Sequence, residues 1–116
     1  MKIYQYRRIR NLIEREPDLF EGLDTLTTKR AIEWLPGHMS IFNRFMSEAL
    51  NAKKAGYQRY SARAIWHYLR HLHQIDPDTR DLKLTKVVTP VVARIAMKLD
   101  PRLEGLFLLR CHGGRT

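Results

Sequence analysis

GYQRYSARAIWHYLRHLH, residues 56–73, joins a helix stop to a helix start and then to an apolar stripe. Gly56 can take the left-handed conformation that closes a preceding helix, and Ser61 carries the side-chain oxygen that caps the next one. Ala62, Ile65, Leu69 and Leu72 then recur at three- and four-residue steps, which predicts a helix over 62–75 stopped by Asp76-Pro77. Arg59, Arg63 and Arg70 fall largely on other faces, where water or a polyanion meets them.

Just upstream, residues 39–55 place Phe42, Phe45, Met46, Ala49 and Leu50 on one continuous face, with Ser40 as cap, and predict the most buried helix. Ile65 and Leu69 are expected to pack on Phe42, Phe45 and Met46, because the turn between the two helices is too short to hold them apart. Lys53 and Lys54 close the earlier helix, where they suit its dipole and are equally able to meet phosphate.

Downstream, Leu82-Lys83-Leu84 alternates as a short strand does, and Thr89-Pro90 reads as a cap followed by proline at the first helical position. Val91, Val92, Ile95, Ala96 and Leu99 supply the inner face of that helix, with an earlier start toward Thr85 as the alternative that the paired valines offer, and Arg94 and Lys98, four apart, project from it together. Asp100-Pro101 repeats the cap-and-proline signal, Gly105 releases the turn, and residues 106–110 are expected to pair antiparallel with 82–84. In the N-terminal third, residues 1–16 predict a helix with Ile3, Tyr6, Ile9 and Ile13 inward and Arg7, Arg8 and Arg10 outward. A connector over 18–26 follows, then a short helix over 29–35, capped by Thr27 or Thr28, ended by Pro36-Gly37 and anchored in the core by Trp34.

The fold class is therefore mainly α, one small helical domain over 1–116. It divides into an N-terminal helical extension (1–36), a helix-turn-helix-like core (37–110) and a flexible tail (111–116). Helix, helix, strand, helix, strand is close to the order of a winged helix-turn-helix, whose third helix enters the major groove while a basic two-stranded hairpin lies over phosphates. A plain helical bundle with a basic surface fits the same order.

Charge points to the partner. Lys and Arg number 21 against 12 Asp and Glu, a net of +9 with a pI near 10.1. That excess fits nucleic acid first and an anionic membrane surface second. Arginine outnumbers lysine fourteen to seven, and its planar fork suits phosphate and guanine edges. Residues 37–75 hold six basic side chains against Glu48 alone, whereas 1–36 are nearly balanced. Tyr57, Tyr60, Trp66 and Tyr68 are interleaved with Arg59, Arg63 and Arg70, the mixture that stacks bases and holds phosphates.

Other chemistries find little support. The single cysteine, Cys111, excludes an intrachain disulfide and a cysteine-rich zinc site. His67 and His71 have the spacing of a metal pair, but the glutamate of a hydrolytic zinc helix is missing and Arg70 stands between them. There is no glycine-rich phosphate loop and no serine elbow, and Asp76, Asp78 and Asp81 crowd a turn. The expectation is a non-enzymatic protein with no cofactor and no bound metal. No apolar run approaches bilayer length, so a cytoplasmic protein with no membrane partner is expected.

At RYSARAIWHYLR and again at DPRLEGLFLLR the chain resembles a group of small, uncharacterised proteins encoded by bacteriophages and prophages. The matching positions are Arg59, Tyr60, Ser61, Ala62, Ile65 and Arg70, then Ala93, Arg94, Asp100, Pro101, Gly105 and Phe107. The resemblance covers about 41–110, and where relatives carry an asparagine-rich step this chain has Thr85 to Thr89. It implies a mobile-element origin and a bacterial host cell. Together these readings predict a nucleic-acid-binding protein, duplex DNA favoured. Arg59, Arg63, Arg70, Arg94 and Lys98 would make phosphate or groove contacts, and Lys53, Lys54, Lys83 and Lys86 would add sequence-independent attraction. The alternative is a small phage protein that binds and inhibits a host protein or ribonucleoprotein, its basic surface docking on an acidic one.

Overall fold

Apolar periodicity becomes helix at five places among the described residues: α1 (Tyr6–Arg15), α2 (Thr25–Trp34), α3 (Met39–Lys54), α4 (Ala62–His73) and α5 (Thr79–Leu99). The computed structural model describes residues 3–73 and 79–107, with backbone alone at 70–73 and 79–87. Short 3₁₀ turns, Leu35–Gly37 and Pro101–Leu103, bend the chain after α2 and α5. The radius of gyration, 13.5 Å, is close to the ~13 Å of a single domain of this length. No helix among the described residues is long and apolar enough to cross a membrane.

The two helices around Gly56 form as their sequence implies. α3 buries Ile41, Phe42, Phe45, Met46, Ala49 and Ala52, and α4 buries Ile65, Trp66 and Leu69. They pack on each other, with Ile65 and Leu69 in the same core cluster as Phe42, Phe45 and Met46. Gly56 sits at φ +101. Its N–H donates to the Lys53 carbonyl at 3.1 Å and the Tyr57 N–H to the Ala52 carbonyl at 3.2 Å. This is the paired closure in which a left-handed residue satisfies two of a helix's last carbonyls. Ser61 Oγ accepts from the Ala64 N–H at 3.0 Å and so caps α4. The start of α3 differs from expectation: His38, not Ser40, is the capping residue, and its Nδ1 lies 2.8 Å from the Trp34 carbonyl oxygen.

The third segment departs from its sequence reading. Residues 82–84 are not a strand but part of α5, which begins at Thr79 and carries Pro90 in its interior. Alternation across only three residues could not separate strand from helix, and the cap-like Thr89-Pro90 signal is overridden. Burial explains why: Val88, before the proline, continues the stripe of Val91, Val92, Ile95, Ala96 and Leu99. An interior proline costs about 3 kcal/mol, while each large buried aliphatic contributes roughly 1.5–3 kcal/mol. The expected hairpin is accordingly not formed. Among the described residues the only bridge outside the helices joins Tyr60 and Phe107, in parallel sense. Residues 108–110 of the expected second strand, residues 74–78 and the tail 111–116 lie outside the described residues, as does the side chain of Leu72, while Asp81, expected in a turn, lies in α5.

α5 holds the longest unbroken buried run among the described residues, where all six residues from Val91 to Ala96 are buried. It is packed by α1, α2 and α4 and by the turn Pro101–Leu103.

The N-terminal third also starts differently. α1 begins at Tyr6, and the extended residues before it alternate sides, so Ile3 is 71% exposed while Tyr4 turns inward. Asn43 holds that segment, accepting from the Tyr4 N–H at 2.7 Å and donating to the Tyr4 carbonyl at 3.0 Å. The Tyr4 ring meets Phe42 edge-on at 6.4 Å. α2 starts four residues earlier than expected, because Asp24 caps it by accepting from the Thr27 N–H at 2.9 Å. Thr28, expected as a possible cap, is buried inside the helix.

Candidate nucleic-acid interface

The corner between α3 and α4 carries four cations within residues 53–63. Lys53 and Lys54 occupy the last turn of α3, where the negative end of the helix dipole favours them. Residues 55–61 connect the helices and carry Arg59, and Arg63 follows in the first turn of α4. Lys54, Arg59 and Arg63 are exposed and Lys53 is half-buried. Glu48, the one acid of this region, accepts from Arg44 Nε at 3.3 Å instead of reaching Arg63. Among the described residues no carboxylate lies within ion-pair distance of Lys53, Lys54, Arg59 or Arg63. Arg63 sits near the positive end of the α4 dipole, an unfavourable place for a cation unless an anion joins it.

The connection is tied down as well as charged. The Tyr60 N–H donates to the Leu106 carbonyl at 2.9 Å, beside the Tyr60–Phe107 bridge. Phe107 in turn packs on Phe45 with ring centroids 5.5 Å apart. Tyr57 leans on Tyr60, centroids 5.0 Å apart and planes at 68°, and remains 52% exposed. Further along α4, Ala64, His67 and Tyr68 share the outer surface with Arg63, and Tyr68 is 49% exposed.

Other predicted contacts are placed elsewhere. Arg94 does not project outward with Lys98. It is 5% exposed, and its guanidinium donates to the Pro90 carbonyl at 3.2 Å. Within residues 91–96, all of them buried, a position opposite the main apolar stripe still faces protein. Lys98 is exposed and pairs with Glu16 at 3.6 Å, fastening α5 to the end of α1. The side chains of Arg70, His71, Lys83 and Lys86 lie outside the described residues. Arg7, Arg8 and Arg10 are exposed on α1, with Arg8 5.6 Å from the centre of the Tyr4 ring. Trp34 is half-buried, stacked on His38 at 4.2 Å and 5.4 Å from the buried Trp66. Among the described residues no three His, Cys, Asp or Glu side chains come together as a metal site would require.

Sequence reasoning did not resolve the exposure of Tyr68 or the bracing of Tyr57 by Tyr60. The first was available, since Tyr68 falls off the stripe of Ile65 and Leu69. The second depends on a bond to Leu106, far along the chain. Comparison with family models, curated proteins and solved structures found no match to this chain. What the corner offers chemically is attraction for phosphate and an aromatic surface beside it.

Proposed function

We propose that this chain is a non-enzymatic nucleic-acid-binding domain of phage or prophage type, acting in a bacterial host's cytoplasm, with duplex DNA its favoured ligand. The observation that carries the reading is the set of Lys53, Lys54, Arg59 and Arg63 on one corner with no carboxylate partner among the described residues. The helix-turn-helix-like role passes from α5 to the α3–α4 pair: α3 supports, and α4 offers Arg63, His67 and Tyr68 to a groove. The connection over 55–61 is longer than the three or four residues of a tight DNA-binding turn, so the likeness is one of arrangement. An electrophoretic titration at several salt concentrations tests it. Log affinity should fall with log salt by about 0.9 per phosphate neutralised, a slope of about 3 to 4 for these four cations. Absence of binding to duplex and single strand at moderate salt rejects the reading.

A second reading, capture of a host protein or ribonucleoprotein, draws on the exposed Tyr57 and Tyr68, since tyrosine is enriched at protein interfaces. A stoichiometric protein partner that survives nuclease treatment of a host lysate would favour it over the first.

A further inference from the structure

Tyr57 is exposed yet held at both ends. Its backbone is bonded to the end of α3 through the Ala52 carbonyl. Its ring rests on Tyr60, which is itself bonded to Leu106 and bridged to Phe107. A ring fixed in this way loses little freedom when a ligand covers it. The cations of the corner flank it: Lys53 and Lys54 in the turn before it and Arg59 two residues after it. A duplex can satisfy those cations through its phosphates, but its bases are stacked and paired, so along its length it has no free ring face to offer Tyr57. An unpaired nucleotide supplies both groups at once, a phosphate for the cations and a base for the ring.

Resting on the nucleic-acid reading above, we infer that Tyr57 is a stacking platform for an unpaired base, so that among duplex ligands this corner prefers one that carries unpaired nucleotides, such as a single-stranded overhang. The cations set the strength of attraction and its salt dependence, and Tyr57 sets the choice between paired and unpaired bases.

The test uses the full chain and fluorescence anisotropy at one salt concentration with three labelled probes: a blunt duplex, the same duplex with a short thymidine overhang, and the same duplex with an abasic overhang of equal length. The abasic overhang keeps the phosphates and removes the bases. The thymidine overhang should bind about tenfold or more tighter than the abasic one. Tyr57→Leu should abolish that preference while leaving the blunt duplex unaffected, and Tyr57→Trp should keep it. Thermal melts of both variants establish that they are folded. Equal affinity for the two overhangs in the unsubstituted chain overturns the inference, as does a Tyr57→Leu variant that loses affinity equally for all three probes. In both cases the nucleic-acid reading stands. Failure of every probe to bind overturns that reading and the inference with it.

Discussion

Arg63 and Arg94 look alike in the sequence, each four residues from another polar position on a predicted helix, yet the fold sends one to water and the other inside. What separates them is enclosure of the helix, which depends on partners remote in sequence and so cannot be read from the stripe. Arg63→Ala should leave unfolding within about 0.5 kcal/mol of the parent and should flatten the salt dependence of binding by about one unit of slope. Arg94→Ala should cost about 1–3 kcal/mol, because it removes a buried charged donor from the Pro90 carbonyl, with binding by the folded fraction unchanged. Denaturant titration paired with binding at two salt concentrations separates the two roles. Tyr4 provides a pH test at the same scale. Burial, and secondarily the charge of Asp100, raise its phenol pKa above the ordinary value, only partly opposed by Arg8 and Arg102. Above the unperturbed tyrosine value of about 10, the unfolded chain loses this proton while the folded chain retains it. Stability present below that pH is therefore lost as pH rises further. Tyr4→Phe should show a shallower alkaline fall in melting temperature than the parent, and equal slopes would show that the phenol does not contribute.

Among the elements, α3 and α4 were legible because the information is local: an apolar face, a capping serine and a glycine stop all lie within a few residues of the helix ends they govern. Gly56→Ala makes this measurable. A Cβ there would meet nothing within 4 Å, so the cost is that of holding a non-glycine residue at φ +101, about 1–2 kcal/mol. Gly37 is equally open but lies outside the positive-φ region. Gly37→Ala should therefore be neutral, or stabilising by about 0.4–1 kcal/mol through the unfolded chain. Urea midpoints with unchanged slopes would show the contrast, and equal shifts would show that the left-handed closure is not what ends α3. α5 was misread for the opposite reason. Its continuity across Pro90 is decided by Val88 and the stripe beyond it finding α1, α2 and α4, a non-local gain that outweighs a local breaker. The hairpin expectation failed with it, since 82–84 was needed for one strand.

At the scale of the whole molecule, charge and core divide the chain differently. The excess positive charge sits almost entirely beyond residue 36, which made residues 37–110 read as a core with an N-terminal extension. The buried cluster crosses that line: Tyr4, Ile9, Leu12, Ala31 and Leu35 belong to it together with Phe42, Leu69 and Ile95. α1 and α2 both pack on α5, whose residues 91–96 are buried throughout. Removing residues 1–36 would take away four large buried side chains, Tyr4, Ile9, Leu12 and Leu35, at roughly 1.5–3 kcal/mol each, and would uncover the part of α5 they cover. A domain of this kind holds only about 5–15 kcal/mol in total, so the loss is comparable with all of its stability. A fragment of residues 37–116 should show no cooperative thermal transition by circular dichroism, whereas the full chain melts in one step. A fragment melting near the full chain would make the first third an appendage. Binding cannot substitute for the melt in this test, because an unfolded fragment keeps nearly all of the excess cations and still attracts nucleic acid without specificity.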